Sequence, residues 1–101
     1  MTPPARIEAA IGLLDQVIAA ARARGAPADR ILAEWSRTHR YAGSKDRRAV
    51  RELVFRAIRA CGPVPASGRA AMLRLAQDDS LIAPLFDGSG YGSNLAIFTR
   101  V

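Results

Sequence analysis

The stretch that decides the fold is Lys45-Asp46-Arg47-Arg48-Ala49-Val50-Arg51-Glu52-Leu53-Val54-Phe55-Arg56-Ala57-Ile58-Arg59-Ala60-Cys61. Its apolar residues Val50, Leu53, Val54, Ala57, Ile58 and Cys61 recur at steps of three and one, the spacing that lines one side of an α-helix. With Val50 at zero they span about 300° through zero to about 80°, while Arg51, Phe55, Arg48, Arg59, Glu52 and Arg56 fall between about 100° and 240°. The stretch therefore predicts an amphipathic helix with a core stripe on one side and a row of arginines, broken by one aromatic, on the other. Cys61 falls on the stripe, which predicts a buried, inert thiol. Ser44 is placed to cap the start of the helix. Gly62-Pro63-Val64-Pro65 ends it, because proline lacks the amide the helix needs and pushes its predecessor into an extended conformation.

Outward from this segment the pattern stays helical. Pro3 and Pro4 suit a helix entry, where a missing N–H costs nothing. Ile7, Ala10, Ile11, Leu14, Val17, Ile18 and Ala21 then form one apolar stripe, and Gly25 is the expected left-handed C-cap. Pro27 opens a second helix to Thr38, with Ile31, Leu32 and Trp35 turned to the core. The segment His39-Arg40-Tyr41-Ala42-Gly43-Ser44 has no period and reads as a loop. A fourth helix, about Ser67 to Gln77, carries Ala71, Met72, Leu75 and Ala76, and a short fifth element around Leu81 to Phe86 contains Pro84. No useful two-residue alternation occurs. The expected fold is all-α, a compact bundle of four to five helices over residues 3–87, with an irregular tail over 88–101.

Length and composition agree with one folded domain: 101 residues, half hydrophobic and about a quarter charged, lie far from the disordered corner. No run approaches the ~18 to 20 apolar residues of a membrane span, and Met1 to Glu8 does not resemble a secretory signal, so the cytoplasm is the expected compartment. Cys61 is alone, which excludes an internal disulfide, and His39 alone cannot complete a thiolate zinc site with it. The net charge of +6 is concentrated. Between Arg37 and Arg59 lie eight basic residues against Asp46 and Glu52, a surplus equal to the whole net charge, while the rest of the chain is neutral. A field of one sign gathered in one segment favours a polyanionic partner.

The catalytic motifs are weak. Asp87-Gly88-Ser89-Gly90-Tyr91-Gly92 looks like a nucleotide or S-adenosylmethionine turn, but such a turn works between a strand and a helix, with an acidic residue some ~20 positions on. It reads instead as a loop. Asp78 and Asp79 read as a helix-end pair, and no base is spaced to serve a nucleophile. No cofactor, metal or enzymatic activity is expected. Backbone-directed RNA binding, in contrast, needs arginines projecting together from a rigid element, with planar groups to stack on bases. Arg40, Lys45, Arg47, Arg48, Arg51 and Arg59 with Phe55 meet that requirement, beside His39 and Tyr41 in the adjoining loop. A helix-turn-helix DNA reader fits less well, since its helices are joined by ~3 to 4 residues and about six intervene here.

The run Lys45 to Arg59 also resembles the Asp-Arg start and Glu-Leu-Val-aromatic pattern of the NusB-like all-helical domain, which occurs alone as the antitermination factor NusB and as the N-terminal domain of RsmB/Sun-type RNA cytosine-5 methyltransferases. The helix from Arg6 to Ala21, Trp35-Ser36-Arg37, Tyr41-Ala42-Gly43-Ser44-Lys45 and the Gly62 break are similar to the methyltransferase branch as it appears in arginine-rich bacterial proteins. The likeness covers about residues 3 to 92. It departs at Arg56, where the family pattern has glycine, and in the absence of the catalytic domain with its S-adenosylmethionine and two cysteines. The last residues, Ser93 to Val101, do not resemble the family's linker. The resemblance implies a non-catalytic accessory role, gripping ribosomal RNA while a methyltransferase domain or another protein does the chemistry. The alternatives are a helical protein-interaction module and a truncated fragment without independent function.

Overall fold

The computed structural model describes residues 1–62 and 64–86. Pro63, the glycine-rich stretch 87–92 and the tail 88–101 lie outside the described residues. Helix α1 is Pro3–Arg22, capped by Thr2, whose Oγ1 accepts the Ala5 N–H at 3.2 Å. It closes with the Gly25 N–H donating to the Ala20 carbonyl at 2.7 Å and the Arg24 N–H to that of Ala21 at 3.3 Å, a Schellman pair. The left-handed residue in this closure is Arg24, at φ 54°, not the expected Gly25. The helix caps at Ala23, so the bond register puts the reversed residue one position earlier. A side chain held there costs about 1 to 2 kcal/mol.

Helix α2, Ala28–Thr38, starts on the extended Pro27, whose carbonyl accepts from Arg30 at 3.1 Å and Ile31 at 3.2 Å. Of its three expected core residues only Leu32 is fully buried, and Ile31 and Trp35 are half-buried. The reason is placement: α2 packs chiefly on α1, which leaves one flank open. Helix α3 is Ser44–Cys61. Gly43, not Ser44, occupies the N-cap, and its carbonyl accepts the Arg47 N–H at 3.0 Å. Helix α4 is Gly68–Asp78, capped by Ser67, and the fifth element is a 3₁₀ turn, Ala83–Leu85.

Helices α1, α3 and α4 pack on one another around Ile7, Ile11, Leu14, Val50, Val54, Ala57, Ala71, Met72 and Leu75, with Leu32, Ile82 and Phe86 closing the core. Leu13 is buried although it lies off the expected stripe, because α1 has α3, α4 and the 3₁₀ turn against it and hides a wider arc. Toward its C-terminal end the opposite happens. Val17 is half-buried and Ala21 exposed, and both line an open apolar groove of about 210 Å³ together with Ile18, Ile58, Val64 and Pro65. Ile58, expected in the core, is exposed for that reason.

The tightest approach is α4 on α1. The Gly68 N–H donates to Asp15 Oδ1 at 2.6 Å, and a Cβ on Gly68 would lie 2.2 Å from the Ile11 carbonyl oxygen. Only glycine permits that crossing. Gly62 ends α3 at φ 66°, again a conformation that favours glycine. The described residues contain four α-helices and no strand, an all-α bundle with a Cα radius of gyration of 13.2 Å. No described helix is long and apolar enough to cross a membrane.

Candidate nucleic-acid interface

Two groups of arginines stand apart, while Arg37 and Arg74 pair with Glu34 and Asp78 on their own helices. One is tied to carboxylates across helix boundaries. Arg6 donates through Nε at 2.9 Å and Nη2 at 2.6 Å to Asp46 Oδ1, joining α1 to the first turn of α3. The amino group of Met1 adds a contact to Asp46 Oδ2 at 3.2 Å. Arg56 Nη2 reaches Asp79 Oδ2 at 2.7 Å, binding α3 to the end of α4, and Arg69 reaches Glu8 Oε1 at 2.9 Å, binding α4 to α1. The Arg6 guanidinium, helped by the Met1 amino group, holds the Asp46 carboxyl below the usual carboxylate range. Arg56 and then the Leu81 N–H do the same for Asp79. Both shifts come from hydrogen bonds to the charged form.

The second population looks outward. Arg40, Lys45, Arg48 and Arg51 are exposed, and none is ion-paired among the described residues. Arg59 is exposed and approaches Glu52 only at 3.8 Å, a surface contact that solvent screens. The helical phase read from the sequence thus places Arg48, Arg51 and Arg59 together on the outer face of α3. Arg47 has a different task. It is half-buried, and its Nη1 donates to the Ala42 and Arg40 carbonyls, clamping the loop in front of its own helix. With Ala33, Ser36, Arg37 and Arg40 it lines an open basic depression.

The aromatics divide in the same way. Phe55 is half-buried and packs on the core, with the Arg51 Cζ 5.2 Å from its ring centroid, so its outer face is already covered. Tyr41 is 84 % exposed. Behind it lie His39 at 5.4 Å and, stacked on His39 at 4.9 Å with planes 20° apart, Trp35. His39 Nδ1 lies 2.9 Å from the Trp35 carbonyl. The Thr38 hydroxyl lies 3.0 Å from the same nitrogen, so the imidazole is held at the end of α2 from two sides. Helical phase alone assigns Trp35 to the core and does not reveal this column; the four-residue spacing of Trp35 and His39 is the one sequence signal that points to it.

The described residues hold no group of three or more His, Cys, Asp or Glu side chains able to bind a metal ion. Cys61, at the last position of α3, is half-buried rather than buried, and desolvation still pushes its thiol up against the opposing pull of Arg74. That makes it a poor thiolate source. The arrangement as a whole offers cations and one open aromatic ring, which suits holding a polyanion. No family model, curated protein or solved structure matches the chain.

Proposed function

We propose that this chain is an RNA-binding helical domain that grips the phosphate backbone with the outer face of α3 and the 39–43 loop. The observation that supports it is the group of exposed cations Arg40, Lys45, Arg48 and Arg51, which have no carboxylate partner among the described residues. Like charges three or four residues apart destabilise a helix. No carboxylate among the described residues offsets that repulsion, and a phosphate chain would relieve it. The likeness of Lys45 to Arg59 to the NusB-like domain extends the reading to a cytoplasmic accessory role on ribosomal RNA, without a cofactor and with catalysis residing elsewhere, in a methyltransferase domain or a partner protein.

A second reading, a protein-interaction module, is favoured by the apolar groove, whose rim residue Val64 is 62 % exposed. Salt separates the two. If four phosphate contacts form, log K should fall against log salt with a slope of about −3 on single-stranded RNA, at ~0.7 per phosphate. The Arg48→Ala, Arg51→Ala, Arg59→Ala triple variant should flatten that slope by about 2. A triple variant with the wild-type slope overturns the RNA reading, and tight salt-insensitive association with a protein favours the groove.

A further inference from the structure

We propose that Tyr41 is the landing point of one unpaired nucleobase, so that the domain distinguishes single-stranded from duplex RNA. The inference rests on the RNA-binding reading above and deepens it by naming the form of the strand.

Tyr41 is by far the most exposed aromatic ring among the described residues, at 84 %, yet it is not on a loose loop. The Ala42 N–H donates to the His39 carbonyl at 3.1 Å, which closes a turn directly under the ring. Ala42 itself is buried. Arg47 holds the Arg40 and Ala42 carbonyls from the helix behind. On the other side, His39 is fixed through Nδ1 to the Trp35 carbonyl at 2.9 Å, and Trp35 packs against the core. The ring is therefore presented by a braced support. A base that lands on it has little loop freedom to freeze, which is the condition under which stacking contributes to affinity.

The chemistry beside the ring fits a nucleotide. Arg37, Arg40 and Arg47 line the adjoining depression. Arg37 is paired with Glu34 and Arg47 Nη1 with the loop carbonyls, whereas Arg40 has no carboxylate partner among the described residues and precedes Tyr41 in the chain, so a phosphate held by it keeps its base within reach of the ring. Phe55 cannot serve in the same way, because Arg51 lies over it and its own body packs on the core. Bases inside an A-form duplex are stacked and paired, and their faces are closed to a side chain. Only an unpaired base can use Tyr41. Cations alone would not make this distinction, since phosphates are present in both forms.

The test uses the whole chain and three probes: a mixed-sequence single strand of RNA, the same backbone with abasic residues in place of the bases, and a duplex. Wild type should bind the single strand about tenfold more tightly than the abasic strand, the low end of what base–aromatic stacking supplies. Tyr41→Ala should abolish that preference and leave both the duplex affinity and the salt slope unchanged, whereas Tyr41→Phe, which keeps the ring, should retain it. An unshifted unfolding midpoint in Tyr41→Ala confirms that the loss is not one of folding. Equal wild-type affinity for the based and abasic strands overturns the inference while leaving the RNA reading standing. So does a preference that survives Tyr41→Ala. Failure of wild type to bind any of the three probes overturns both.

Discussion

Arg6, Arg56 and Arg69 each reach across a helix boundary to a carboxylate, at 2.6, 2.7 and 2.9 Å, whereas Arg40, Arg48 and Arg51 point outward with no such partner among the described residues. The paired side chains are partly covered, with 28, 34 and 36 % exposure, and partial cover reduces the screening that makes surface ion pairs weak. One residue type therefore staples helices in one region and forms an uncompensated field in the other. Counting arginines does not separate the two roles. What separates them is whether the fold brings a carboxylate within reach.

The largest expected effect lies on the stapled side. Gly68→Ala puts a methyl group 2.2 Å from the Ile11 carbonyl oxygen, and neither backbone can give way locally, so about 3 kcal/mol of stability should disappear in denaturant unfolding. An unchanged midpoint would show that the α1–α4 seam is looser than the structure describes. Phe55→Ala tests the border between the regions. The ring is half-buried on the core, and its loss should cost about 2 kcal/mol, less than a fully buried phenylalanine. A variant of wild-type stability with weakened RNA binding would move Phe55 to the binding side.

A smaller effect follows pH. Asp46 and Asp79 have carboxyls held below the usual range by Arg6 and Arg56. A lowered folded-state pKa contributes stability that is present above the ordinary carboxylate value of ~3.9 and is lost as pH falls through the lower folded value. The melting temperature of wild type should therefore decline more steeply below about pH 4 than that of the Asp46→Asn, Asp79→Asn variant, which should start lower at neutral pH. Parallel acid limbs would mean the staples are no tighter than the outward arginines. Smallest is Arg24→Gly. It relieves a left-handed arginine at φ 54° and should gain about 0.5 to 1 kcal/mol after the entropy of the added glycine is subtracted, with the salt slope on RNA unchanged.

The outer face of α3 is legible in the sequence. Its phase follows from 100° per residue along a continuous helix, and Val50, Val54 and Ala57 are buried while Arg48, Arg51 and Arg59 are exposed, as that phase requires. The roles of Arg47 and Phe55 are not legible there. Arg47 is drawn to carbonyls brought within reach because the 39–43 loop folds back over it, and Phe55 falls by phase within the arginine row, so only the neighbouring packing decides that its ring is partly covered. Tyr41 and His39 can be placed in the loop from sequence but not stacked, since ring geometry depends on how the turn closes.

By itself the sequence determined the helices, their order and the segment that holds the surplus charge, because helix periodicity and proline or glycine breaks act over a few residues. It also determined which side of α3 enters the core. Only the tertiary structure decided that Leu13 is buried, that Ile58 and Trp35 are partly open, and that Arg6, Arg56 and Arg69 find acids 40, 23 and 61 residues away. Those outcomes depend on which helices cross and how closely. A helix reports its own phase through local geometry, but it does not report what lies opposite each side of it.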